Sequence, residues 1–113
     1  MIIKLPYPDS RLNPNKRLHW AKVAKVKKLA RNIGWSFTKE TIKRKTFTAP
    51  LSVSITFYPP DKRKRDDDNA IAAFKAYRDG IADALGVDDA DWVTSYHFHK
   101  TAPLGKVVVE VTQ

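Results

Sequence analysis

Between Asp61 and Asn69 the chain reads DKRKRDDDN: four consecutive cations, Lys62, Arg63, Lys64 and Arg65, run directly into three carboxylates, Asp66, Asp67 and Asp68. A merely solvated face intersperses its signs, whereas here they are sorted into two abutting blocks. Guanidinium and ammonium groups grip phosphate, and clustered carboxylates supply the hard oxygens that Mg²⁺ prefers. The juxtaposition implies metal-assisted chemistry on a nucleic-acid backbone. The bland explanation stands beside it: Asp67 or Asp68 caps a helix while the carboxylates pair with the neighbouring cations.

A second carboxylate pair, Asp88-Asp89, lies some twenty residues on. Between the two pairs, Asp68, Ala72, Lys75 and Asp79 are spaced to share one helix face. Lys75 would project back toward the helix start, either to steady a phosphate or leaving oxygen near Asp68 or simply to pair with Asp79 or Asp68. Asn69, Lys16 and Arg17 complete the candidate nucleic-acid-contacting set with Lys62 to Arg65. His97 and His99 form an H-x-H pair for which a structural or surface role is expected. Trp20, Trp35 and Trp92 are expected in a core or an interface. Tyr7, beside the basic loop, could instead stack on an exposed base.

These residues must be positioned by regular elements. Ile2 to Leu5 read as a short strand ended by Pro6-Tyr7-Pro8, and DSRLNPNKR as a turn-rich loop. Apolar residues recur at helical spacing from about Trp20 to Arg44, with Val23, Val26, Ala30, Ile33 and Phe37 as the stripe and a break allowed at Gly34. LSVSITFY, residues 51–58, alternates as a half-buried strand does, and Pro59-Pro60 stops it. A second helix runs from about Asp67 or Asp68 to Leu85, burying Ile71, Phe74, Ile81 and Leu85 and stopping at Gly86. Strands follow at about residues 92–100 and at VVVEV. The order is β-α-β-α-β-β, an α+β fold of two layers with helices on one face of a small mixed sheet. An 18-residue helix is about 27 Å long. If the second helix is straight and complete, Asp89 therefore cannot meet Asp68 within one subunit, and the site needs either a bent helix or a second copy.

Composition narrows the class. With 113 residues the chain makes a single domain, and 42% apolar content argues against wholesale disorder. There is no apolar run of the length that spans a bilayer, and Lys4 and Pro6 interrupt the apolar start, so neither a membrane span nor a signal peptide is expected. Cysteine is absent, which excludes disulfides and thiolate metal sites and fits a cytoplasmic location. The net charge of +9 is unevenly placed: residues 1–65 carry 17 Lys/Arg against 3 Asp/Glu, and residues 66–113 carry 4 against 9. A basic half beside an acidic half is a sign of nucleic-acid interaction.

Arg65-Asp66-Asp67-Asp68-Asn69 after a basic run, then a helix, then Asp88-Asp89, resembles the RusA family of Holliday junction resolvases, and LPYPDS is similar to that family's opening strand and Pro-rich loop. The resemblance covers most of the chain. It implies a homodimeric, Mg²⁺-dependent endonuclease, with Mn²⁺ able to substitute, that resolves four-way DNA junctions by paired symmetric nicks in recombination and repair. The family's essential carboxylates match Asp66, Asp68 and Asp89, with Asp88 the adjacent member of the pair. The family's lysine four residues after the second motif carboxylate is replaced by Ala72, and Lys75 is the candidate substitute. Two alternatives stay open: a degenerate or non-catalytic protein that binds junctions without cutting, and a nuclease acting on RNA or flap DNA.

Overall fold

A computed structural model describes residues 1–101 and 103–113. Its elements are β1 (Ile2–Pro6), α1 (Trp20–Ile42), β2 (Leu51–Tyr58), α2 (Asp67–Leu85), β3 (Trp92–Phe98) and β4 (Lys106–Thr112), with single 3-10 turns at Ser10–Leu12 and Asp89–Asp91. The β-α-β-α-β-β order is the expected one. The four strands form one sheet in the order β1-β4-β2-β3. β2 and β3 are parallel, joined through α2, while β4 runs antiparallel to both β1 and β2.

Strand alternation decides which face is covered. Leu51, Val53, Ile55 and Phe57 on β2, Val107, Val109 and Val111 on β4, and Ile3 and Leu5 on β1 are all buried. They form one core with Phe74, Tyr77 and Ile81 of α2 and Val26 and Ala30 of α1. Phe57 lies at its centre, stacked on Phe98 at 5.0 Å and meeting Phe74 edge-on at 5.8 Å. Burial of such a ring contributes roughly 1.5–3 kcal/mol. The residues between, Ser52, Ser54, Thr56 and Tyr58, lie on the opposite, uncovered face.

The helices depart from the expected packing in one respect. α1 runs unbroken through Gly34, and its buried line is Val26, Ala30, Gly34, Thr38 and Ile42; Phe37 is exposed. The reason is the close crossing of α1 and α2. A Cβ on Gly34 would sit 2.6 Å from the Tyr77 carbonyl oxygen, and one on Gly80 would overlap the Arg31 carbonyl. Glycine is required at both positions because backbone meets backbone there. Thr38 satisfies its buried hydroxyl by donating to the Gly34 carbonyl at 2.7 Å. α2 ends at Gly86, left-handed at φ 71°, whose N–H donates to the Ala82 carbonyl.

Candidate functional site

β2, an inner strand, delivers the charged motif to its C-terminal end, and Pro60 begins a loop that must turn back into α2. Asp61 organises that turn. Its carboxylate accepts from the Arg63 N–H at 2.9 Å and pairs with Arg65 Nη1 at 2.9 Å. Arg65 also donates to the carbonyls of Asp61 and Arg63, both at 3.1 Å, and its guanidinium lies 5.9 Å from the Tyr7 ring centre. The Arg65 hydrogen bond, first, and the Arg63 N–H hold the Asp61 carboxyl below the usual range. Arg65 is thus committed to loop structure, while Lys62, Arg63 and Lys64 are exposed. Tyr7, for which the sequence left base stacking open, is half-buried beneath Arg65 and packs at a steep angle against Phe57.

The loop borders an open cleft of about 740 Å³, lined by Arg63, Lys64, Arg65, Asp66 and Asn69 together with Tyr7, Asn13 and Lys16. Lys16 therefore meets the charged motif across space, although nearly fifty residues separate them in sequence. Arg17 does not line this cleft.

At the cleft's end Asp66 caps α2: one carboxylate oxygen accepts from the Asp68 N–H at 2.9 Å. Asp67 pairs with Lys100 at 2.7 Å. The exposed Asp68 carboxylate accepts no protein hydrogen bond among the described residues. Capping and pairing each engage one oxygen, of Asp66 and of Asp67 respectively, leaving the second oxygen of each and the whole Asp68 carboxylate without a protein partner among the described residues.

The second carboxylate pair is elsewhere. Asp88 caps the 3-10 turn, accepting from the Ala90 N–H at 2.9 Å. Asp89 accepts from Lys75 Nζ at 2.8 Å and Arg78 Nε at 2.9 Å on the same oxygen. Lys75 also pairs with Asp79 at 2.8 Å, and Arg78 reaches the Tyr96 hydroxyl at 2.8 Å while lying over the Trp92 ring at 5.0 Å. Lys75, foremost, and Arg78 hold the Asp89 carboxyl below the usual range, and Asp79 then Asp89 raise the Lys75 ammonium. Lys75 follows Asp68 by seven residues, about 10 Å along the helix axis. α2 is complete at 19 residues, so the length conflict read from sequence persists within one protomer. Asp66 and Asp68 mark the start of the helix, and Asp88 and Asp89 lie beyond its other end, with Asp89 reaching back only to mid-helix. Among the described residues no group of three His, Asp or Glu side chains converges to hold an ion.

The donor chemistry is therefore divided. Mg²⁺ needs only one or two carboxylates beside water and substrate phosphate, and Asp66 with Asp68 fits that requirement. Asp89, neutralised by two cations, does not belong to the same donor set in one protomer.

Sequence reasoning missed Arg78, the less exposed of Asp89's two cationic partners; its only signal is its place one turn after Lys75. It also missed a groove of about 440 Å³ between the helices, floored by Ala72 and Ala76 and edged by Lys27, Lys28, Arg31 and Lys75. Of the tryptophans, Trp92 is buried, whereas Trp20 is 77% and Trp35 46% exposed, so neither of these belongs to the core. His97 and His99 project from the exposed surface of the β3 edge, with no metal group around them among the described residues.

No family model matches the chain. It is similar to an uncharacterized protein of Xylella fastidiosa (strain Temecula1 / ATCC 700964), with 39% identity over 119 residues, covering 97% of this chain and 74% of that protein.

Proposed function

The chain belongs to the same family as that Xylella fastidiosa protein, and we propose that it is a Mg²⁺-dependent, structure-specific DNA endonuclease of the RusA type, acting on four-way junctions in recombination and repair. The observation that carries this reading is the adjacency of two unlike groups: a cleft lined by Lys16, Arg63, Lys64 and Asp66, and, two residues on from Asp66 in the first turn of α2, the exposed carboxylate of Asp68. Such a cleft holds a phosphate backbone by charge and shape, with little dependence on base identity. Asn69, in the first turn of α2, contributes an amide that can orient a phosphate or sugar. Asp66 and Asp68 are the residues that would hold the ion, which when bound supplies a more acidic water and neutralises charge on the phosphate oxygens. Hydrolysis joins the water oxygen to phosphorus and breaks the bond to the 3′-oxygen, which leaves as a hydroxyl, giving a 5′-phosphate and a 3′-hydroxyl. A C₂ homodimer would set two such sites on the two-fold of a junction and allow paired cuts. A cytoplasmic location agrees with this function, and no described helix is long and apolar enough to cross a membrane.

One specific observation favours a second reading, a junction-binding protein that does not cut. Ala72 stands where the resembling family has a lysine, and Lys75 and Asp89 occupy each other. Incubating a labelled synthetic four-way junction with wild type and Asp68→Asn, with and without Mg²⁺, separates the two. Metal-dependent paired nicks, lost in Asp68→Asn while binding survives, are expected. Tight binding without cutting in Mg²⁺ or Mn²⁺ would reject the enzyme and leave the binding protein.

A further inference from the structure

We infer that Trp20 is a stacking platform for an unpaired DNA base, so that the protein selects DNA with unstacked bases (single strands or branch points) over continuous duplex. The inference rests on the nucleic-acid reading above and adds a determinant of substrate choice to it.

Three observations point the same way. Trp20 begins α1 with 77% of its surface exposed, the most exposed large apolar residue of the chain. Its ring is not free to wander. The His19 imidazole stacks on it at 5.5 Å and 30°, and His19 is itself fixed because Nδ1 accepts from the Ala21 N–H at 3.2 Å as the helix cap. A preset aromatic face loses little freedom on receiving a partner. The third observation is charge. From Ser10 to Lys39 the chain carries nine Lys/Arg and not one Asp or Glu. A second copy placed face to face on this surface meets its own sign, whereas a polyanion with exposed π-faces matches both the charge and the ring. Lys16, on the wall of the phosphate cleft, is four residues away, a chain reach of at most about 14 Å. A base adjoining a backbone held in that cleft lies within range of Trp20.

The test is a titration in EDTA, where no cutting interferes, of wild type, Trp20→Ala, Trp20→Phe and Trp35→Phe. The ligands are a labelled oligo-dT strand, a four-way junction and a continuous duplex. Binding is followed by anisotropy and tryptophan quenching, with far-UV circular dichroism and sedimentation as controls. Stacking of one base predicts that Trp20→Ala weakens oligo-dT and junction binding roughly 5- to 150-fold. Duplex binding should stay unchanged and Trp20→Phe should recover most of the loss. Quenching by oligo-dT should persist in Trp35→Phe. Equal losses on all three ligands, no loss on any, or a change of oligomeric state in Trp20→Ala would overturn the inference while leaving the phosphate cleft standing. Failure of wild type to bind any of the three would instead overturn the nucleic-acid reading itself.

Discussion

If the cleft holds a phosphate backbone, its salt dependence follows from which cations are free to release counterions. Lys16, Arg63 and Lys64 line the cleft and are exposed, and among the described residues only Arg63 of the three has a carboxylate partner, Asp61 at a loose 3.6 Å; Lys62 is exposed but does not line the cleft. Arg65 is different: its guanidinium is paired with Asp61 at 2.9 Å and bonded to two carbonyls. Three phosphate contacts give a slope of log K against log salt of about −2.7, so affinity for a junction should fall roughly 40-fold between 50 and 200 mM KCl. Lys64→Ala removes one contact and should flatten the slope by about 0.9. Arg65→Ala should leave the slope near its wild-type value and instead loosen the loop, because its charge is already neutralised by Asp61. Anisotropy of a labelled junction in EDTA, titrated at four KCl concentrations, measures all three slopes. The reasoning is refuted if Lys64→Ala keeps the wild-type slope, or if Arg65→Ala flattens it as Lys64→Ala should.

Two further predictions concern the frame around the site. In Gly80→Ala the new Cβ would overlap the Arg31 carbonyl and sit 2.9 Å from the Trp35 nitrogen; because both are backbone, the helices must part, at a cost of about 1–3 kcal/mol or more, and an unchanged urea midpoint would contradict the close crossing. The depressed Asp89 carboxyl, held by Lys75 and Arg78, gives stability that is fully present above the unfolded carboxyl pKa of about 3.9 and is lost as pH falls through the lower folded value. Wild type should therefore lose more stability than Asp89→Asn when denaturation midpoints at pH 6 and pH 3 are compared, and parallel losses would show that the pair contributes nothing.

What the sequence made legible tracks how directly a residue's environment follows from its neighbours. The alternation of Leu51, Val53, Ile55 and Phe57 was readable because a sheet covered on one face leaves a strand only one way to point, and each of the four is at most 1% exposed. Gly86 was readable as a helix stop for a similarly local reason. The buried line of α1 was not, because it is set by α2: Gly34 and Thr38 lie inside while Phe37 stays exposed, since the backbones approach too closely at Gly34 and Gly80 for larger residues. Trp20, expected in a core or an interface, lies outside the core, because its position is set by where α1 begins and not by aromatic size.

The same distinction governs the site. The DKRKRDDDN motif sits where strand and helix order require, and its internal division of labour, with Asp61 folding the loop, Asp66 capping and Asp68 available, follows from short-range hydrogen bonds. The destination of Asp89 depends on a 3-10 turn that brings the chain back beside mid-helix, where Lys75 and Arg78 take it up. Removing the Asp89 carboxylate from that pairing within the same protomer would leave Lys75 with Asp79 alone and Arg78, only 16% exposed, with the Tyr96 hydroxyl and the Asp89 carbonyl, at a cost below the roughly 3–5 kcal/mol known for breaking fully buried pairs. A substrate phosphate can take over the role of Asp89 toward Lys75 and Arg78, whereas a bound cation beside Asp68 offers them nothing. Under the proposed function, Asp66 and Asp68 therefore form the metal-holding half by themselves, and Asp89, whose Oδ2 accepts from both cations, is held beside Lys75 and Arg78 instead.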